Sequence, residues 1–211
     1  MRLLSRQEKT ISQAYDIEAL KAKIRLCDVC AHAVKPLPVV PNPILQGNAQ
    51  SKIRIIGQAP GTLAHTSGRP FTDPSGVRLR NWLGVSEDEF YNEDLFAITP
   101  MGFCFPGQDK HGGDLPPRKE CAPLWQDELT THLTGTRLTL LVGMYAVKNY
   151  LGKEAKRNLT ETVRHWRDYG PDIMPLPHPS WRNNVWIKKH DWFQEELIAL
   201  KTRIGELRGK T

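Results

Sequence analysis

The chain has 211 residues, a formal net charge of +6 at pH 7 and an apolar fraction of 39%. The length predicts one domain with a sizeable core over residues 1–211, and the composition excludes a low-complexity chain. The positive surplus suits a partner with a phosphate backbone, although many basic proteins bind no nucleic acid.

The start of the chain, Met1 to Lys9, lacks the apolar segment of a signal peptide, and no apolar run reaches membrane-spanning length. We therefore expect a cytoplasmic protein that does not bind membranes. Structural disulfides are rare in that compartment. The four cysteines then require another explanation: inert thiols, a redox pair or a metal site.

Helix and strand patterns alternate along the chain. Four short aliphatic runs predict strands, at Lys52–Gly57, Leu95–Thr99, Leu138–Val142 and Ile173–Leu176. Helical spacing predicts helices over Ser5–Leu26, Ser75–Leu83, Pro116–Leu133, Met144–Leu151 and Phe193–Leu207. Four prolines indicate a loop over Pro36–Gln50. This alternation predicts an α/β fold with a parallel sheet covered on both faces.

The loops that follow the strands are the expected place for a functional site, because such sites form at the carboxyl ends of parallel strands. These loops begin at Gly57, Pro100, Gly143 and Pro177. The first contains the motif Gly-Gln-Ala-Pro-Gly, and the last contains His-Pro-Ser. These two loops hold the most unusual residues of the sequence.

The cysteines form one C-x-x-C pair and two distant members. Cys27 and Cys30 are the pair, and sixteen residues separate Cys104 from Cys121. A chance pair with two core thiols is the simplest explanation. Four thiolates could instead hold a tetrahedral zinc ion or a [4Fe–4S] cluster. The spacing favours a metal site without identifying the metal.

Several of these features together resemble the uracil-DNA glycosylase superfamily. The motif loops Gly57–Gly61 and His178–Ser180 resemble its two signature motifs, and Gly68–Gly76 resembles a segment of its iron–sulphur branches, families 4 and 5. The cysteine layout, with a pair before the first strand and two cysteines after the second, is also similar to those branches. The resemblance extends from Cys27 to about Trp192.

This resemblance implies a three-layer α/β/α fold with a four-stranded parallel sheet. It also implies a DNA-repair enzyme that hydrolyses the N-glycosidic bond of uracil or another deaminated base. A structural [4Fe–4S] cluster would be held by Cys27, Cys30, Cys104 and Cys121, with no metal in the chemistry. The partner would be DNA that contains a deaminated base, and we expect the protein to be a monomer.

The chemistry requires few groups, because bond cleavage leaves positive charge on the sugar and negative charge on the base. His178 is the candidate donor to the base oxygen, and Asp73 is the candidate carboxylate near the sugar. Phe71 is the candidate ring that stacks on the extruded base. Each has a structural alternative: a core histidine, a cap residue before Pro74, and an ordinary core ring.

Further residues are candidates for binding the base and the DNA. Backbone amides of the first motif, at Gly57, Gln58, Ala59 and Gly61, would approach the base, and Asn183 could read its edge. Among DNA-contacting residues, Ser180 would contact a phosphate, and Trp181 and Arg182 would fill the space that the extruded base leaves. The alternative for the last two is an exposed aromatic ring and a solvated charge.

The sequence departs from the family pattern at two positions. Ala59 stands where one branch has a water-activating Asp, so Asp73 is the substitute, as in the branch with broad substrate range. Pro100 stands where the uracil-specific branch has an Asn that pairs with uracil, and proline has neither an N–H nor a polar side chain. Another residue reads the base edge, or the pocket is permissive.

Two other functions remain open from the sequence. One is a DNA-damage-binding protein of the same fold that does not hydrolyse the bond, which the residues Ala59 and Pro100 favour. The other is a metal-binding redox or nucleotide-binding protein, supported only by the C-x-x-C pair and by a glycine turn after a strand.

Overall fold

The computed structural model of the protein describes residues 17–209. Its central sheet has four parallel strands, in the order β2-β1-β3-β4. The strands are β1 (Ile53–Ile56), β2 (Phe96–Ile98), β3 (Leu138–Val142) and β4 (Ile173–Leu176). Each lies within a predicted aliphatic run, which confirms the strand predictions.

Helices connect and cover the strands. In chain order they are α1 (residues 17–25), α2 (Thr62–Ser67), α3 (Pro74–Leu83), α4 (Glu87–Phe90), α5 (Cys121–His132), α6 (Met144–Leu151), α7 (Leu159–Arg164), α8 (Asn184–Lys189) and α9 (Trp192–Arg208). The predicted first helix is helical over 17–25, and its residues 5–16 lie outside the described chain. None of the helices between residues 17 and 209 is both long and apolar enough to cross a membrane.

One predicted helix boundary is wrong. The sequence places the start of α5 at Pro116–Pro117, whereas the helix begins at Cys121. A proline disfavours helical backbone in the residue before it, so Pro117 keeps Pro116 out of the α region. Residues 115–118 are accordingly irregular, and a turn leads into the helix.

Both faces of the sheet are buried, and the strand side chains alternate between them. Ile53 and Ile55 of β1 lie in a core with residues of α3 and α9, whereas Ile56 packs with residues of α6 on the other face. Ala97 of β2 lies on that second face, among residues of α1 and α5. The result is the expected three-layer α/β/α arrangement, so the predicted fold class is confirmed.

The strand order creates a crevice at the carboxyl ends of β1 and β3. The chain leaves β1 toward β2 through α3 on one face, and it leaves β3 toward β4 through α6 on the other face. Because these connections diverge, the loops after β1 and β3 separate, and ligands bind at such points in parallel sheets.

Candidate functional site

The motif loop after β1 is tied to the loop after β2. The carbonyl oxygen of Gly57 accepts a hydrogen bond from the Met101 N–H at 2.9 Å, and that of Gln58 accepts one from the Gly102 N–H at 3.0 Å. Ala59 follows, half-buried, with no side-chain group that could activate water. In this loop, backbone groups and not a water-activating side chain are therefore available at the crevice.

Phe71 covers this turn in an uncommon backbone conformation. Its Cζ lies 3.3 Å from the position that a Cβ on Gly57 would occupy. Its φ of 56° is the only positive φ of a non-glycine residue among residues 17–209. A bulky residue in this region costs about 1–3 kcal/mol, so the surrounding structure must impose it.

Neighbouring groups hold Phe71 in that conformation. Its carbonyl oxygen accepts hydrogen bonds from Arg80 Nη1 at 3.2 Å and from the Tyr91 hydroxyl at 3.4 Å. A Cβ on Gly76 would overlap this carbonyl oxygen, so only glycine fits at position 76. The ring also packs edge-on against buried Phe90, with centroids 6.1 Å apart.

His178 lies after β4, beside the end of β3. Its ring is next to Gly143, whose φ of 89° suits glycine. Its Nδ1 accepts a hydrogen bond from the Ser180 N–H at 3.3 Å, and its carbonyl oxygen accepts one from Asn183 Nδ2 at 2.6 Å. A neutral imidazole with Nδ1 as acceptor carries its proton on Nε2, which is then a donor.

The electrostatic surroundings favour this neutral form. Burial lowers the pKa of His178, and the positive charge of Arg182 also lowers it. The negative charges of Asp73 and Asp114 act in the opposite direction without restoring the ordinary pKa. The imidazole is therefore uncharged at neutral pH.

Asp73 is the N-cap residue of α3, as its structural alternative predicts. Its Oδ1 accepts hydrogen bonds from the Gly76 N–H at 3.2 Å and from the Ser75 hydroxyl at 2.7 Å. The same hydroxyl lies 2.8 Å from Oδ2. The charge of Asp73 nevertheless raises the pKa of His178, so the cap residue lies close enough to act on the imidazole.

The residues predicted to contact DNA lie together at the rim of the crevice. Trp181 is 70% exposed, and the Arg182 guanidinium lies 5.2 Å from the centroid of its ring. Arg78 of α3 donates to the Ser180 carbonyl oxygen at 3.0 Å and anchors this turn. The hydroxyl of Ser180 and the amide oxygen of Asn183 make no hydrogen bond within the described chain, so both are available to a ligand.

Sequence reasoning missed a loop over residues 105–115 that also borders the site. Gln108 and Asp114 form an antiparallel bridge across it, and Gln58 Nε2 donates to the Leu115 carbonyl oxygen at 3.1 Å. The Asp114 carboxylate thereby reaches Gly61 of the motif loop. The glycine-rich, polar sequence has no periodicity, so it is typical of any surface turn.

The four cysteines line one cavity, away from the His178 crevice. Its other lining residues are Ile24, Pro43, Gly102, Phe103, Arg118 and Trp125. All four cysteines are free thiols, contributed by the segment after α1, the loop after β2 and the first residue of α5. Between residues 17 and 209, no three His, Cys, Asp or Glu side chains form a group that could hold a metal ion.

The residues around these thiols are mostly apolar, with Arg118 as the charged member of the cavity lining. Burial raises the pKa of Cys104 to about 11 and that of Cys121 to about 12. As free thiols, Cys104 and Cys121 would be protonated at neutral pH and poor nucleophiles. Burial also raises the pKa of Cys30 in the C-x-x-C pair, whereas the reactive thiol of a redox pair has a lowered pKa. Trp125 Nε1 is buried and has no acceptor within the described chain, and the Phe103 N–H donates to Cys121 Sγ at 3.4 Å.

The sequence matches a model of a known protein family. The model described as the Uracil DNA glycosylase superfamily matches residues 45–200, well over half of the chain. The match includes both motif loops, the segment of Phe71 and Asp73, and all four strands. It begins after Cys27 and Cys30, so it includes only two of the four cysteines.

Proposed function

The chain belongs to the uracil DNA glycosylase superfamily, and from this premise we propose that it is a monofunctional DNA glycosylase. It removes uracil or another deaminated base from DNA by hydrolysing the N-glycosidic bond. The observation that carries this proposal is the neutral His178 imidazole, held by Ser180 with its Nε2 free, on which the negative charges of Asp73 and Asp114 act.

His178 stabilises the departing base. As the bond breaks, negative charge moves to an oxygen of the base, and Nε2 of His178 donates a hydrogen bond to it. The Ser180 N–H fixes the tautomer, and the Asn183 amide fixes the backbone of the same turn. This positioning is present before substrate binds, so little reorganisation accompanies the reaction.

The extruded base would lie on the Phe71 ring, beside the motif loop. The ring already covers Gly57, so the base would stack on the exposed part of the ring and receive hydrogen bonds from backbone amides. Pro100 has no side-chain donor, and its carbonyl oxygen already accepts a hydrogen bond from Gln126 Nε2 at 2.7 Å. This arrangement favours a permissive pocket, with Asn183 Oδ1 and the Ser180 hydroxyl as the polar groups of the His178 turn that are available to a base.

The charged groups act on two parts of the DNA, the deoxyribose and the phosphate backbone. Asp73 supplies negative charge near the positive sugar while it caps α3. Trp181 enters the space that the base leaves, and Arg182 contacts the phosphate backbone together with Ser180. Hydrolysis then yields the free base and an abasic site.

We further propose that Cys27, Cys30, Cys104 and Cys121 hold a structural [4Fe–4S] cluster. A mononuclear ion requires its ligands to converge on one point, whereas the thiolates of a cluster surround it, as these thiols surround their cavity. The unpaired Trp125 indole N–H suits the sulphur atoms of a cluster. Such a cluster would join the segment after α1 to α5 and would take no part in the hydrolysis.

A cleavage assay tests the proposal. Duplex and single-stranded oligonucleotides that contain uracil, hypoxanthine or xanthine are incubated with the protein and then examined for alkali-labile abasic sites. We expect cleavage of at least one of these bases and none of an undamaged control. Tight binding to damaged DNA without cleavage would instead favour a non-hydrolytic binder, which Ala59 and the hydrogen-bonded Asp73 carboxylate support.

A further inference from the structure

The Asp114 carboxylate lies against the motif loop. Its Oδ2 is 3.1 Å from the position that a Cβ on Gly61 would occupy. Gly61 has an ordinary φ of −85°, so its backbone conformation does not require glycine. A Cβ at position 61 would therefore press against the Asp114 carboxylate.

Hydrogen bonds within the 105–115 loop fix its backbone on both sides of Asp114. Asp109 Oδ1 accepts hydrogen bonds from the backbone N–H groups of His111 at 2.8 Å and Gly113 at 2.9 Å. The Leu115 N–H donates to the Gly107 carbonyl oxygen at 2.9 Å. The Asp109 carboxylate therefore stabilises the loop itself, whereas the Asp114 carboxylate lies against the motif loop.

The two carboxylates that act on His178, Asp73 and Asp114, differ in the hydrogen bonds that they accept. Both oxygens of Asp73 lie within hydrogen-bonding distance of the Ser75 hydroxyl, and one also accepts the Gly76 N–H. Asp114 has a single weak contact, from Gln108 Nε2 to Oδ1 at 3.3 Å. Its Oδ2 receives no hydrogen bond from any described residue, and the residue is exposed.

A general base needs a free oxygen that can bind and deprotonate water. Asp114 has one beside Gly61 of the motif loop, and its negative charge acts on the same imidazole as the charge of Asp73. Asp73 is better suited to supply a fixed negative charge, since its hydrogen bonds keep it in place. The two carboxylates thus suit two different tasks.

On the premise of the proposed glycosylase function, we propose that Asp114 is the general base for the attacking water. The water oxygen forms a bond to C1′ of the deoxyribose while the bond from C1′ to the base nitrogen breaks. The electron pair of that bond leaves with the base, which takes a proton from solvent. One water proton passes to an oxygen of Asp114, which later releases it to solvent.

The test compares charge-neutral variants of equal size. Asp114→Asn is assayed with Asp172→Asn, a matched control that removes an exposed carboxylate just before β4, at the opposite end of the sheet. Single-turnover cleavage rate, DNA affinity, melting temperature and the NMR titration of His178 are measured for both variants. The wild-type protein shows first whether cleavage occurs at all.

We expect Asp114→Asn to cleave about a hundredfold more slowly, with DNA affinity and melting temperature near wild type. The pKa of His178 should fall, because one of the negative charges that raise it is gone. Asp172→Asn should match the wild type in every measurement. Formate added to Asp114→Ala should restore part of the rate, which a merely structural role would not produce.

Three results would overturn the assignment. A wild type that cleaves, with Asp114→Asn slowed less than tenfold, would remove Asp114 from the chemistry. A slower rate that only follows weaker DNA binding or a lower melting temperature would make Asp114 a loop-holding residue. A wild type that cleaves none of the damaged bases would refute the glycosylase function itself, and the base assignment with it.

Discussion

The ring of Phe71 lies over the backbone of Gly57, with its Cζ 3.3 Å from where a Gly57 side chain would begin. This contact joins the positive-φ residue of the site to the motif loop that presents backbone amides. It leaves no room for a side chain at position 57 without a shift of the ring. The position of the Phe71 ring and the identity of the residue at position 57 therefore depend on each other.

Gly57→Ala should displace the Phe71 ring by a few tenths of an ångström. Because Gly57 has no positive φ, the substitution adds little backbone strain, and we expect a stability loss of about 1–3 kcal/mol from overpacking. Cleavage should fall more than stability accounts for, since the ring moves. Denaturant unfolding and single-turnover kinetics check this. Wild-type kinetics would show that the ring does not contact the base.

Replacing His178 by Leu should slow the chemical step by about a hundredfold or more, because one positioned donor to the departing base is lost. DNA affinity should change much less. His190 provides a matched control, since its ring stacks on Trp186 in the α8 region, and His190→Leu should keep the rate. Equal losses in both variants would indicate a general structural effect.

The rate of the chemical step should also report the protonation of His178. Burial lowers its pKa, so the imidazole stays neutral as the pH falls through about 6.5, where an ordinary histidine takes up a proton. The rate should accordingly stay flat through that region and fall only at lower pH. A rate that halves near pH 6.5 in single-turnover assays would contradict the buried, neutral imidazole.

If the cysteine cavity holds an iron–sulphur cluster, the protein should be coloured. Purified protein should absorb near 400 nm (roughly, as iron–thiolate clusters do) and contain about four iron atoms per chain. Cys104→Ala should be colourless and heat-labile, because the ligand set is incomplete. Leu37→Ala, a buried neighbour of Cys30 and Cys104 without a ligand atom, should lose stability but keep the colour.

Much of this arrangement could be predicted from the sequence, because it depends on local patterns. The aliphatic runs located all four strands, and the order of loops placed Gly57 and His178 at one edge of the sheet. Helices α2, α4, α7 and α8 have four to six residues, too few to display helical periodicity. The contact of Asp114 with Gly61 joins distant parts of the chain through an irregular loop, so no local signal predicts it.

Substitutions at Trp181 and Arg182 should affect DNA affinity and base extrusion differently. Arg182→Ala should weaken binding and reduce its dependence on salt, because one phosphate contact is lost. Trp181→Ala should lower base extrusion, measured with a fluorescent base analogue, more than it lowers affinity. The exposed Trp181 and the anchored Ser180 backbone support this division. Unchanged affinity, salt dependence and extrusion in both variants would place this turn away from the DNA.

A pair of substitutions can separate the two roles that we propose for Asp73, which are to cap α3 and to supply negative charge near the sugar. Asn is as good an N-cap as Asp, so Asp73→Asn should keep α3 capped while it removes the negative charge near the sugar. We expect its cleavage rate to fall by about a hundredfold at nearly wild-type stability and DNA affinity. Asp73→Ala should show the same loss of rate and an additional stability loss of about 1 kcal/mol, since the cap is lost as well. Single-turnover rates and denaturant unfolding of the two variants provide the comparison. If Asp73→Asn cleaves as fast as the wild type and only Asp73→Ala is impaired, the residue is a helix cap alone, and the negative charge near the sugar must come from Asp114.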